Sequence, residues 1–223
     1  MPEWVDVSEL APPVRAALRG LDPRNAERVA GHLVAAGTLV DEDADAALAH
    51  ARAARDRASR VAAVREAVGV AAYHAGDYAE AARELRAYRR MSGDRAYRPV
   101  LADCERALGR PEIALRLVAE ALAEGPDPDE VAELRLVEAG ARRDLGESAA
   151  ARLVLEGALG GRVRPRDLDP ADAGRLRLAT AYADLLRAEG EAELAEEWTE
   201  AVAAAAPELL GEELLGVEFA EEP

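Results

Sequence analysis

The side chains that could do chemistry in this sequence are few, and none stands in a familiar catalytic or metal-binding pattern. His32, His50 and His74 lie in three different predicted helices, without an HExxH motif, so a metal site would have to be assembled by tertiary folding. We expect surface histidines or satisfied histidines of a groove. Cys104, the single cysteine, follows Asp103 on a predicted packed helix and is expected to be a small core residue rather than a nucleophile.

Other catalytic motifs are missing as well. No serine stands in GxSxG, and no GxGxxG or GxxxxGK phosphate loop occurs. All 28 basic residues are arginine, which excludes Schiff-base chemistry and a P-loop lysine. Acidic residues are so abundant that carboxylate pairs arise by chance and identify no glycosidase. The sequence therefore predicts a protein that is not an enzyme and that needs no cofactor or metal, with an undetected active site as the alternative.

Composition favours an all-α protein that does not bind nucleic acid. Hydrophobic residues make up 50% of the 223 residues but aromatic ones only 4%, so the core is built from Ala, Leu and Val. Ala, Leu, Arg and Glu are strong helix formers, and β-branched runs with a period of two are missing. The formal net charge of -16 repels phosphate backbones, which favours basic or neutral partners.

The sequence also predicts a cytoplasmic location. The N-terminal stretch MPEWVDVSEL has neither a basic n-region nor an apolar h-region, and no apolar run approaches the ~18 residues of a membrane span. A single cysteine excludes an intrachain disulfide and fits a reducing compartment. We therefore expect a soluble protein without a membrane partner.

The segment 61–93 predicts two amphipathic helices joined by a turn at Gly76. Gly69 stands seven residues before this glycine and Ala81 five residues after it, so both helices offer a place where backbones can approach closely. The same pattern of small residues recurs around three further glycines, Gly109, Gly146 and Gly190. Such units cannot bury their apolar faces alone, which predicts a stack of like hairpins.

The turns divide the chain into a cap segment at 1–21, a repeat domain at 22–206 and an acidic C-terminal capping helix or tail at 207–223. Within the repeat domain, hairpins are predicted at about 23–57, 61–93, 94–126, 129–160 and 172–206. In the first hairpin, a helix that Asp22 caps is expected to stop at Gly37. Two open questions remain: whether the basic loop Arg162–Arg166 docks anything, and whether the tail caps the stack or lies in its groove.

The recurring pattern comprises a small residue, the turn glycine, an Asp-Tyr pair or its equivalent, alanines and a closing proline. This pattern resembles the tetratricopeptide repeat, whose period is about 34 residues. The resemblance is best in the units that end at Gly93 and Pro126. It departs where the family has a large residue early in the first helix, at Arg65, Arg98, Arg135 and Ala179. It implies a right-handed superhelical stack of about five antiparallel hairpins. A generic helical-hairpin stack is the alternative.

The resemblance further implies a concave groove lined by the first helix of each hairpin. The matching positions are Glu66, Val70, Tyr73, His74, Asp103, Arg106, Leu136, Arg143, Thr180, Asp184 and Arg187. Three of these positions form an arginine ladder, three residues before successive turn glycines, that would bind a carboxylate-rich or phosphorylated peptide. The alternative is that Asp103–Arg106 and Asp184–Arg187 are ordinary i, i+3 pairs on a helix surface.

These expectations favour a non-enzymatic adaptor or scaffold that binds a peptide or helix of another protein in the groove. A structural subunit of a permanent complex or homo-oligomer is one alternative, and an exposed apolar patch would favour it. A small-molecule sensor is another alternative, which would require a closed apolar pocket.

Overall fold

The computed structural model describes residues 4–161 and 164–206, and these residues form α-helices, two short 3₁₀ helices and turns, without a β-strand. The all-α class that composition predicts is therefore confirmed. Eleven α-helices occur among the described residues: α1 (Pro12–Ala17), α2 (Pro23–Leu39), α3 (Ala44–Ala58), α4 (Ala62–His74), α5 (Tyr78–Ser92), α6 (Arg98–Ala107), α7 (Pro111–Ala123), α8 (Pro128–Asp144), α9 (Ser148–Leu159), α10 (Ala173–Glu189) and α11 (Ala192–Ala205).

The chain forms two compact units, Met1–Ala114 and Leu115–Pro223, each built from helices that pack on their sequence neighbours. In the first unit, α2 packs on α3, α3 on α4, α4 on α5 and α5 on α6. In the second, α8 packs on α9, α9 on α10 and α10 on α11, and α8 also reaches α10. The predicted division into cap, repeat domain and tail stays a prediction, and 207–223 lies outside the described residues.

The four predicted turn glycines share one backbone geometry. Gly76, Gly109, Gly146 and Gly190 have φ of 74°, 74°, 76° and 86°, a region in which a Cβ costs about 1 to 2 kcal/mol. After each glycine, the next backbone N–H donates to the carbonyl four positions before that glycine. These bonds are Asp77 to Ala72 (2.8 Å), Arg110 to Glu105 (2.9 Å), Glu147 to Arg142 (2.8 Å) and Glu191 to Leu186 (2.9 Å). The predicted turn positions are confirmed as four copies of one helix-ending motif.

The first hairpin turns later than its glycine. Helix α2 is capped by Asp22 as expected, but it continues through Gly37 to Leu39, so the predicted end at Gly37 is wrong. Gly37 does not have the positive φ of the turn glycines, and without that reversal nothing obliges the helix to stop. The next helix starts only at Ala44, where the Asp43 side chain accepts a hydrogen bond from a first-turn N–H.

Alanine and glycine allow the helices of the first unit to pack closely. A Cβ on Gly69 of α4 would lie 2.6 Å from both Cγ and Cδ2 of Leu85 on α5, and 3.2 Å from its backbone nitrogen. Leu85 and Ala81 are both completely buried. The predicted close approach at Gly69 is thus present, and it holds α4 against α5.

This close approach predicts opposite effects for two glycine-to-alanine changes. Gly37→Ala should raise the free energy of unfolding by about 0.5 to 1 kcal/mol. The added Cβ would meet no atom within 4 Å, and alanine favours the helical conformation more than glycine does. Gly69→Ala should be less stable than Gly37→Ala by about 1 to 3 kcal/mol, because it overpacks Leu85. Urea unfolding measures both. Equal stabilities would show that α4 and α5 can separate without cost.

Candidate functional site

Two buried glutamates of α5 form an Arg–Glu network with the preceding helices. The Glu84 side chain is almost fully buried, and its carboxylate accepts hydrogen bonds from Arg55 of α3 at 3.2 Å and Arg65 of α4 at 2.6 Å. Glu80 accepts from Nε of Arg52 on α3 at 2.7 Å, and also from Arg55. The network therefore joins α3, α4 and α5.

The Glu80 carboxylate is ionised and paired within this network. Burial alone would raise the pKa of the Glu80 carboxyl, but hydrogen bonds and charge from Arg55 and Arg52 outweigh burial and hold that pKa below its ordinary value. A carboxylate that is ionised and already paired is a poor general base, whose pKa should lie near the working pH. We interpret the network as a structural element rather than an active site.

The predicted groove residues of the first unit form a hydrogen-bonded chain. The Tyr73 hydroxyl donates to Asp103 Oδ2 at 2.7 Å, and Arg106 Nε donates to Asp103 Oδ1 at 2.8 Å. Burial, followed by the hydrogen bond to Asp103, raises the pKa of Tyr73. The hydroxyl therefore stays protonated, and Arg106 is partly neutralised by its own helix.

The other groove positions of this unit do not join that chain. Glu66 accepts a hydrogen bond from the Tyr97 hydroxyl at 2.8 Å, and Tyr97 is the one non-glycine residue with positive φ among those described. Glu66 and Val70 line a small cavity of about 230 Å³ between α1, α2 and α4. His74 is exposed, with its Nδ1 3.8 Å from Asp41 Oδ1.

In the second unit the predicted groove positions are mostly satisfied locally. The Thr180 hydroxyl donates back to the Leu176 carbonyl of its own helix at 3.1 Å. Arg187 donates to Asp184 Oδ1 at 2.8 Å and to Thr199 Oγ1 at 3.1 Å. Leu136 packs against the core of this unit, and Arg143 is exposed.

The arginine ladder is therefore only partly available to a ligand. In both i, i+3 pairs the arginine already contacts its aspartate at 2.8 Å, as ordinary surface pairing predicts. The ladder positions belong to separate units, with Arg106 in the first and Arg143 and Arg187 in the second. Binding of an anionic peptide across all three stays a prediction.

The surroundings of the single cysteine do not support a role as a nucleophile. Cys104 is completely buried, and burial, with Asp103 adding to it, raises the pKa of its thiol to about 12. A reactive cysteine has a lowered pKa and solvent access. The prediction of a small core residue is confirmed.

Two of the three histidines are in contact. The sequence did not predict this contact, because the two residues lie on different helices. His32 on α2 and His50 on α3 bring their Nδ1 atoms to 3.0 Å, with ring centroids 5.2 Å apart and planes tilted by 47°. Burial, then the charges of His50 and Arg57, lower the pKa of His32. Within the part of the chain that the structure describes, no three His, Cys, Asp or Glu side chains converge to hold a metal ion.

The second unit contains a large open pocket beside its buried tryptophan, which we call the Trp198 pocket. Trp198 of α11 packs edge-on against Tyr182 of α10, with centroids 5.4 Å apart at 89°. The pocket has a volume of about 880 Å³. Its lining comprises Glu156, Leu159, Gly161, Arg164, Pro165, Arg166, Tyr182, Leu194, Glu197, Trp198, Glu200, Ala201 and Ala204.

Arg164 and Arg166 give the rim of this pocket a basic side. Both are exposed and flank Pro165, the first residue of a 3₁₀ helix (Pro165–Asp167) that packs on α11. They belong to the loop for which the sequence left a docking role open. Glu156 also lines the pocket; the Tyr182 hydroxyl donates to it at 2.8 Å, and Arg152 donates to it as well. The pocket therefore combines an aromatic floor with a mixed-charge rim.

A second surface of this unit exposes an apolar side chain. Leu153 of α9 has 70% of its surface exposed and lines a groove of about 980 Å³ with residues of α8 and the start of α10. Val131, Val154 and Ala158 extend the apolar lining, and Arg135 and Arg175 lie beside it.

The sequence patterns did not indicate the Trp198 pocket, because they placed the binding residues on the first helix of each hairpin. A usable signal was present. Aromatic residues are rare in this chain, and Tyr182 and Trp198 lie on the two helices of one predicted hairpin. Rare aromatics on paired helices are expected to meet, since they bury the most area.

Comparison with known proteins identifies no relative. No family model, no curated protein and no solved structure matches the chain. Among the described helices, none combines the length and apolar character that crossing a bilayer requires.

The Arg–Glu network predicts a large difference between two glutamate variants. Glu84→Gln should lower the free energy of unfolding by about 1.5 to 3 kcal/mol, because it weakens hydrogen bonds to charged groups in a buried setting. Glu120→Gln is the control, since its pair with Arg116 is exposed on both sides and is worth about 0 to 1 kcal/mol. Urea unfolding at neutral pH measures both. A Glu84 variant as stable as the control would show that the network does not hold the helices together.

The histidine pair predicts a specific loss of stability in acid. Because the folded-state pKa of His32 is below its unfolded value of about 6.5, its contribution is present above that value and is lost as pH falls through the folded pKa. The unfolding free energy of the parent should therefore drop more between pH 7 and pH 5 than that of His32→Gln. Comparing the parent with the variant cancels the loss of stability that protonation of carboxyl groups causes in both. Parallel pH curves would contradict the expectation.

Proposed function

We propose that this protein is a non-enzymatic interaction module that binds a short segment of another protein in the Trp198 pocket. The observation that carries the proposal is the combination of a buried aromatic pair, Trp198 and Tyr182, with the exposed Arg164 and Arg166 beside one opening. Binding energy at protein interfaces concentrates on such aromatic and arginine residues. No catalytic group is needed for this role.

The chemistry of the pocket defines the segment that fits. Leu194, Ala201 and Ala204 are partly or fully exposed in the lining and offer an apolar surface for a large apolar side chain. The two arginines favour a neighbouring carboxylate or phosphate through charge-assisted hydrogen bonds, whereas Glu197 and Glu200 disfavour a wholly anionic peptide. We therefore expect one apolar anchor next to one acidic group.

The proposal includes the tetratricopeptide-like architecture, as a right-handed stack of about five hairpins. Its support is the turn motif that recurs with the same hydrogen bond at Gly76, Gly109, Gly146 and Gly190. Cytoplasmic location belongs to the same proposal. A permanent complex or homo-oligomer is the second candidate. The exposed Leu153 favours this candidate. It is excluded if light scattering finds only a monomer and no complex is purified.

The proposed function predicts the outcome of selecting random displayed peptides on the full chain. Selected peptides should share a large apolar residue next to Asp, Glu or a phosphorylated residue. The double variant Arg164→Ala/Arg166→Ala should bind them at least about tenfold more weakly, a loss of about 1.4 kcal/mol, in fluorescence-polarisation titrations.

The matched control is Arg24→Ala/Arg28→Ala, which removes the same charge from exposed positions of α2. This control should bind with parental affinity. Equal weakening by both doubles would indicate general charge attraction instead of the Trp198 pocket. Failure to select any peptide would count against the function itself.

A further inference from the structure

We propose that His32 and His50 form a two-point binding site for a divalent transition-metal ion, with copper(II) as the best fit. The two imidazoles come from different helices, α2 and α3, and their Nδ1 atoms lie 3.0 Å apart. Both side chains are partly exposed, so an ion can reach them from solvent. Imidazole is a ligand that copper, nickel and zinc share.

The separation of the two nitrogens would allow one ion to bind both. With metal–nitrogen distances of about 2.0 to 2.1 Å, two ligands at a right angle lie about 2.8 to 3.0 Å apart, whereas tetrahedral ligands lie about 3.3 to 3.4 Å apart. The observed 3.0 Å is the length of the hydrogen bond between the two rings, and it lies within about 0.4 Å of both separations. Square-planar or tetragonal geometry is typical of copper(II) and nickel(II), and copper(II) binds most strongly among the first-row divalent ions.

The protonation state of the pair suits metal binding. Without an ion, one ring donates its Nδ1 proton to the other ring. To bind through both Nδ1 atoms, the donor ring moves its proton to Nε2, so that both rings stay neutral. Both nitrogens must be deprotonated to bind a metal ion, and this tautomer supplies both.

The site is an exchangeable one rather than a closed structural cage. No third His, Cys, Asp or Glu joins the pair within residues 4–161 and 164–206, so water completes the coordination. A bound ion would bridge α2 and α3 and would stabilise the folded state by mass action.

Titration of the full chain with copper(II) chloride tests the site. We expect one ion per chain by calorimetry, an electron paramagnetic resonance spectrum with two imidazole nitrogens, and a rise in melting temperature that EDTA reverses. His32→Gln and His50→Gln should each lose at least about tenfold in affinity, since even indirect supports of metal sites are worth about 10 to 100-fold.

His74→Gln is the control, because His74 is exposed and lies outside the pair. It should bind copper like the parent, with the same two-nitrogen spectrum. Far-UV circular dichroism establishes that each variant is folded. The proposal is overturned if the folded parent shows no binding, if both pair variants bind like the parent, or if His74→Gln loses as much affinity as they do.

Discussion

Close approach of helix backbones is the constraint on which this structure depends. Only 4% of the residues are aromatic, and alanine, leucine and valine fill most of the core. Small side chains exclude water only when the helices that carry them lie near each other, because gaps in a core forfeit contacts on both sides. Gly69 against Leu85 is the tightest example. The turn glycines then set which faces of successive helices can meet.

Ion pairing supplements this core in the first unit. The guanidinium of Arg65 in α4 reaches the buried Glu84 of α5 at 2.6 Å. A charge at this depth is tolerated because several arginines share two carboxylates. Long arginine stems also cover apolar surface. Cross-helix pairing thus lets a chain without lysine, and with few aromatics, hold three helices in place.

The sequence predicted the backbone better than the side-chain partnerships. Turn positions were readable because a glycine at positive φ has a physical signature that few other residues share. The end of α2 was not readable, because Gly37 does not have a positive φ and the sequence alone does not reveal the φ of a glycine. His32 with His50, and Trp198 with Tyr182, depend on which helix faces meet. That information resides in packing between elements, and periodicity along one helix does not contain it.

The Arg–Glu network couples the first two helical hairpins. Arg52 and Arg55 come from the first hairpin, and Glu80 and Glu84 from the second. Deletion of the first hairpin would remove two of the arginines that pair with these glutamates. We therefore expect the two hairpins to be gained or lost together. Gene duplication can lengthen such a chain more safely beyond them than within them.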